Sequence, residues 1–180
     1  MALTPARIIV VMGVSGSGKS TAGQAMARQL HAPFLDGDQF HPPANVEKMR
    51  AGIPLTDDDR WPWLDRLAKA LCEAAEPKGV AVGACSALRR QYRDFLVEKA
   101  GEPILFVYLH GSKELIASRM ETRKHEYMPA TLLDSQFATL EVPDPDVENV
   151  LAVPITDSVD KLTRTVLKNL EHLKSFRRWQ

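Results

Sequence analysis

Residues 7–20 read Arg7-Ile8-Ile9-Val10-Val11-Met12-Gly13-Val14-Ser15-Gly16-Ser17-Gly18-Lys19-Ser20, an apolar, β-branched run that passes directly into a G-x-x-x-x-G-K-S loop. A chance glycine-rich turn would not bring strand, loop and helix signals in this order. Gly13, Gly16 and Gly18 let the backbone turn tightly and aim successive N–H groups inward, while the segment from Lys19 starts a helix whose positive end faces a bound anion. A nucleotide polyphosphate, ATP, is the natural guest of the cradle Gly13, Val14, Ser15, Gly16, Ser17, Gly18 and Lys19. Lys19 would reach the β- and γ-phosphates, the Ser20 hydroxyl would ligate Mg²⁺, and Thr21 would add a hydroxyl in the first helical turn.

The rest of the composition narrows the partners. The chain has 180 residues, with 23 Lys plus Arg against 23 Asp plus Glu, so no overall field favours nucleic acid or an anionic membrane. Its length suits one domain, expected over residues 1–180. Cys72 and Cys85 lack C-x-x-C spacing, and no basic, apolar and cleavable leader opens the chain, which predicts a reducing, cytoplasmic location. No apolar stretch approaches the ~18 residues that span a bilayer.

Apolar runs suited to buried strands recur at Ile8–Met12, Pro33–Leu35, Val80–Cys85, Ile104–Leu109 and Val150–Ile155. Helical stripes separate most of them: Leu64, Leu67, Ala68, Leu71 and Ala75 form one, and Val159, Leu162, Val166, Leu167, Leu170 and Leu173 another. The alternation predicts an α/β fold, a parallel sheet of about five strands with helices on both faces. Ligand loops should follow Met12, Leu35, Cys85 and Leu109, with Val80–Cys85 as the central strand. Two excursions break the pattern. Residues 37–63 carry Pro42, Pro43, Gly52, Pro54 and Pro62 and are too interrupted for one long helix. Residues 119–136 place Arg119, Arg123, Lys124 and His125 ahead of Met128-Pro129, as a lid over phosphates would need.

Phosphoryl transfer asks for cations around the equatorial oxygens, a metal and an acceptor hydroxyl held in line. Asp36-Gly37-Asp38 follows the second strand, and we assign Asp36 to Mg²⁺ through water and Asp38 to the acceptor hydroxyl. Arg123 is the chosen lid cation for the transferring group, with Arg119 one turn earlier to lie on the adenine ring; residues near Thr156 and Asp157 are a further candidate for adenine contact. Asp57-Asp58-Asp59 is read as turn and helix-cap chemistry, because no uninterrupted apolar strand precedes it. The third strand ends in Cys85-Ser86 and not in an acid, which argues against translocating ATPases and regulatory GTPases. Ser86 could approach a polar substrate.

Two blocks carry a narrower signal: Gly37-Asp38-Gln39-Phe40-His41-Pro42-Pro43-Ala44-Asn45-Val46-Glu47-Lys48-Met49 with Gly52-Ile53-Pro54-Leu55-Thr56-Asp57-Asp58-Asp59-Arg60-Trp61-Pro62-Trp63-Leu64, and Cys85-Ser86-Ala87-Leu88-Arg89-Arg90-Gln91-Tyr92-Arg93-Asp94. Together with the loop at Gly13 they resemble the gluconokinases over nearly the whole chain. The resemblance implies a fold similar to shikimate kinase and adenylate kinase, a homodimer, and ATP-dependent phosphorylation of D-gluconate at the entry to the pentose phosphate or Entner–Doudoroff route. It places Arg60 on the substrate carboxylate by similarity to the shikimate kinases. His41 and Ser86, with Lys48 or Arg93, would line the polyol, although Asn45 and Lys48 could equally hold the excursion together. Trp61 and Trp63 are read as packing. Arg89 stands where the family often carries lysine, and Lys124-His125-Glu126-Tyr127-Met128 departs from the family's usual lid run. Two alternatives stay open: a kinase of shikimate or another sugar acid, and an ATP-binding regulatory protein without catalysis, against which Lys19, Ser20, Asp38 and Arg123 count.

Overall fold

A computed structural model describes residues 3–122 and 130–177, except the side chains of residues 122, 130–131 and 171–177. In chain order the elements are β1 (Ile8–Met12), α1 (Lys19–Leu30), β2 (Phe34–Asp36), a 3-10 turn (Gly37–Phe40), α2 (Pro43–Arg50), α3 (Asp57–Ala75), β3 (Ala81–Ala84), α4 (Arg90–Ala100), β4 (Ile104–His110), α5 (Lys113–Thr122), α6 (Ala130–Thr139), β5 (Val150–Pro154) and α7 (Val159–Arg177). The five strands form one sheet in the order β2-β3-β1-β4-β5, and every neighbouring pair is parallel.

β1 shows why both faces are covered. Successive side chains of a strand point to opposite faces; Ile8, Val10 and Met12 enter a core built with α3 and α4, while Ile9 and Val11 enter a second with α1, α5, α6 and α7. All five are fully buried. The stripe Leu64, Leu67, Ala68, Leu71 and Ala75 is likewise fully buried on α3. On α7, Leu162, Val166 and Leu170 are buried, Val159 remains 36% exposed, and the side chain of Leu173 lies outside the described residues.

One sequence expectation needs correction. The central strand is β1, not the run at Val80–Cys85, which forms β3 between β1 and β2. A continuous apolar run marks burial on both faces, a condition that β1, β3 and β4 share, so it cannot rank them. Pro62 does not break its helix. It lies inside α3, where it forgoes only the bond to the Asp58 carbonyl, and both residues are exposed so that water can serve that oxygen. The first excursion is therefore shorter in irregular structure than its prolines suggest, made of the 3-10 turn, α2 and the first turns of α3.

Candidate active site

In an all-parallel sheet the carboxyl ends of the strands share one edge, and the chemistry gathers there. The loop after β1 is tied to the end of β3 by a bond from Gly13 N–H to the Ser86 carbonyl (3.3 Å). Gly13 has φ +146°, and a Cβ there would stand 2.8 Å from the Leu109 carbonyl oxygen, so only glycine fits between β1 and β4. Gly16 and Gly18 also have positive φ, as the turn requires. Val14 buries its side chain in the core and turns its carbonyl to the loop, where it accepts from Ser17 N–H (3.3 Å) and Lys19 Nζ (3.0 Å). Ser17 Oγ is buried with no hydrogen-bond partner among the described residues.

Ser20 and Asp36 come together from α1 and β2. The Ser20 hydroxyl donates to Asp36 Oδ2 (3.2 Å), and Asp36 Oδ1 accepts from the Asp38 N–H (3.1 Å), capping the 3-10 turn. Two hard oxygens at the head of a phosphate loop suit a small divalent cation. Among the described residues no group of three or more His, Cys, Asp or Glu could hold a metal unaided, so the rest of such a cation's shell would come from water or a bound phosphate. Asp38 is exposed on the turn, and Thr21 is exposed in the first turn of α1.

The first excursion is a built wall. Trp63 is buried; its Nε1–H donates to the Gly37 carbonyl (2.6 Å), and its ring stacks on His41 with centroids 4.0 Å apart. Trp61 packs on Tyr92 and Phe95. Both tryptophans are packing residues, as read. The Asn45 amide donates to the Asp59 carbonyl (2.8 Å), which fixes its orientation, and its Nδ2 lies 3.4 Å from His41 Nδ1. Since an amide nitrogen can only donate, Nδ1 is the acceptor and Nε2 carries the proton. Burial, aided by the Arg60 charge, lowers the His41 pKa to about 4, so the ring stays neutral with one N–H to offer.

The acidic triplet is cap chemistry, with one addition. Thr56 and Asp59 form a reciprocal capping box at the start of α3, and Asp59 also binds Lys48 through both oxygens (2.9 and 2.7 Å). The Lys48 bond, then the Thr56 N–H, hold the Asp59 pKa down to about 2. Lys48 is thus committed to joining α2 to α3, the second of the roles read for it. Asp57 does more than cap. It accepts from the Tyr92 hydroxyl and Gln91 (3.1 Å), and lies 3.6 Å from Arg89 and 3.8 Å from Arg60. The Tyr92 bond leads in keeping Asp57 ionised. Arg60 donates to the Leu55 carbonyl (2.6 Å) and rests over the Tyr92 ring, its Cζ 5.2 Å from the centroid.

Arg93 overturns its reading. It is 1% exposed, paired to Glu148 (2.6 and 3.0 Å), and donates to the Ala87 and Leu88 carbonyls (2.9 and 3.3 Å). Its charge is spent inside the protein, where it braces the segment after Ser86; Ala87 there adopts φ +44°. Ser86 itself is half-buried at the sheet edge. Arg119 donates to the Ile155 carbonyl (2.7 Å), which brings it beside Thr156 and Asp157. Arg123, Lys124, His125, Met128 and Pro129 lie outside the described residues. Tyr92 and Gln136, which binds Ser15, were not singled out from sequence; an uncharged polar residue on a helix gives no signal of what it faces.

Residues 8–143 match the family described as "AAA domain". The thermoresistant gluconokinase of Escherichia coli (strain K12) is 44% identical over 162 residues, covering 89% of this chain and 91% of that enzyme. A crystal structure of a gluconokinase from Sinorhizobium meliloti 1021 superposes with a TM-score of 0.83 at 44% identity, covering 99% of this chain and 98% of that one. Shikimate kinase from Aquifex aeolicus, at 18% identity and a TM-score of 0.55, shares the fold.

Proposed function

The chain belongs to the gluconokinase family, and we infer that it transfers the terminal phosphoryl group of ATP to D-gluconate, giving 6-phospho-D-gluconate and ADP. One observation carries the reading from the side of the molecule: the phosphate loop after β1, Ser20 at the start of α1, Asp36 at the end of β2 and the wall bearing His41 and Arg60 after β2 all belong to segments at or beyond the carboxyl ends of strands of a single parallel sheet.

The division of labour follows from the side chains. Lys19 and the loop N–H groups take the phosphates, and Arg119 with the Thr156–Asp157 segment takes the base. Ser20, and Asp36 through water, would hold Mg²⁺, which when bound neutralises phosphate charge. Arg60 binds the gluconate carboxylate, and a guanidinium over an aromatic ring, braced by the Leu55 carbonyl and Asp57, is pre-aimed for that task. Neutral His41 donates Nε2–H to a substrate hydroxyl, and Ser86 adds a second polar contact. With the acid end held by Arg60, a linear substrate presents its far hydroxyl to the phosphates. Asp38 accepts that hydroxyl's proton as its oxygen bonds to the γ-phosphorus and the bond to the β-phosphate oxygen breaks. Arg123 is assigned to the charge on the transferring group. A homodimer and a cytoplasmic location complete the proposal; the free thiols of Cys72 and Cys85, and the absence of a membrane-spanning helix among the described residues, accord with the latter.

An acceptor panel tests it. With MgATP, release of ADP should depend on D-gluconate and be weak with shikimate, gluconate epimers or neutral sugars. Turnover confined to a different acid would overturn the substrate, and no acceptor-dependent turnover would overturn the reaction.

A further inference from the structure

Gln136, on α6, reaches the phosphate loop twice. Its Oε1 accepts from the Ser15 backbone N–H (2.6 Å) and its Nε2 donates to Ser15 Oγ (2.9 Å). A carboxamide presents one acceptor and one donor group side by side, and here the pair matches the backbone N–H and hydroxyl of a single serine. The loop's own bonds converge elsewhere, on the Val14 carbonyl. The next loop residue is bounded from α5, since a Cβ at Gly16 would lie 2.6 Å from Met120 Cγ. Consecutive loop residues, Ser15 and Gly16, are therefore set by two different helices that lie far along the chain.

We propose that Gln136 is a positioning residue for phosphoryl transfer: by gripping Ser15 it sets the tip of the phosphate loop, and with it the N–H groups against which the transferring phosphate rests. The inference builds on the kinase reading above. Misplacing a reacting group by about 1 Å can cost on the order of 100-fold in rate, whereas Gln136 and Ser15 are both half-buried, so water can replace the lost bonds at little cost in stability.

The test compares wild type, Q136L, S15A and the double variant for turnover of MgATP and gluconate, with a thermal melt of each. Q136L should lower kcat roughly 10- to 100-fold, with the gluconate KM within about twofold and the melting temperature within a few degrees. Because the effect runs through Ser15, the same substitution should cost less in the S15A background. Should Q136L not fold, amide exchange in the wild-type protein decides, with Ser15 expected among the protected amides of the loop. A folded Q136L with native kcat, strictly additive costs in the double variant, or an unprotected Ser15 amide would each overturn the proposal. Failure of the kinase reading is distinguishable, since wild type itself would then leave gluconate unchanged.

Discussion

Arg93→Met should be among the most damaging single substitutions outside the phosphate loop, and the structure gives its size. Arg93 and Glu148 are 1% and 8% exposed, joined at 2.6 Å. Removing the cation alone strands a buried carboxylate, which costs about 3–5 kcal/mol. For a chain of this length each kcal/mol moves the melting temperature by about 2–4 °C, so R93M should melt about 6–20 °C below wild type. Removing both charges, in R93M/E148L, should recover part of that loss. The Ala87 carbonyl then lacks its donor, at about 1–3 kcal/mol, whereas the Leu88 carbonyl keeps the Glu141 N–H (2.8 Å). Burial is the largest single influence on Glu148 and would raise its pKa, but the Arg93 hydrogen bonds, the Asp144 N–H and the Arg93 charge together outweigh it, and the net shift is downward from 4.5. The sign follows. A carboxylate with a depressed folded pKa stabilises above its unfolded value and loses that contribution as pH falls through the folded one. R93M should therefore lose the part of wild-type acid sensitivity that begins near pH 4.5. Calorimetric melts from pH 3 to 8, beside gluconate KM at 25 °C, measure both. An R93M enzyme that melts normally but shows a tenfold higher gluconate KM would refute the reasoning, because Arg93 would then be reaching substrate.

Three further outcomes are expected. Asp38→Asn should cut kcat at least ~100-fold while ATP affinity, read by titration calorimetry, changes little; near-native turnover would remove Asp38 from proton transfer. Arg60→Ala should raise the gluconate KM roughly 10- to 100-fold and the ATP KM far less, since it holds the unreactive end of the substrate, and equal changes would count against that placement. Long-range ¹H–¹⁵N correlation at pH 6 should find His41 neutral with its proton on Nε2, because its pKa is lowered to about 4. Protonation would favour the unfolded chain, so the cost of keeping His41 neutral grows as pH falls from about 6.5 toward 4 and is absent above. A doubly protonated ring at pH 6 would contradict this.

The phosphate loop was legible because its chemistry is local: strand, glycines, Lys19 and Ser20 follow one another without interruption. The position of Asp36 beside Ser20 was legible for the same reason, one strand end later. Strand limits shifted by a residue or two, as at Phe34–Asp36 against Pro33–Leu35, because capping and register decide ends. Sheet order was not legible, since β1 and β3 are similarly apolar and only pairing separates them. Arg93 was misread because a sequence displays a charge but not the partner that neutralises it, and Glu148 lies 55 residues away. Lys48 shows the same limit over a shorter span. Asp57 was read as a cap because its cluster with Tyr92, Arg60 and Arg89 exists only once α3 packs on α4.

The most direct measurement is the identity of the product. Purified protein, MgATP and D-gluconate are incubated and the mixture examined by ³¹P–¹H correlation. The account predicts one new phosphomonoester coupled to the two methylene protons at C6, the end opposite the carboxylate held by Arg60. An ester on any methine carbon, or ADP formed without an ester, would contradict it.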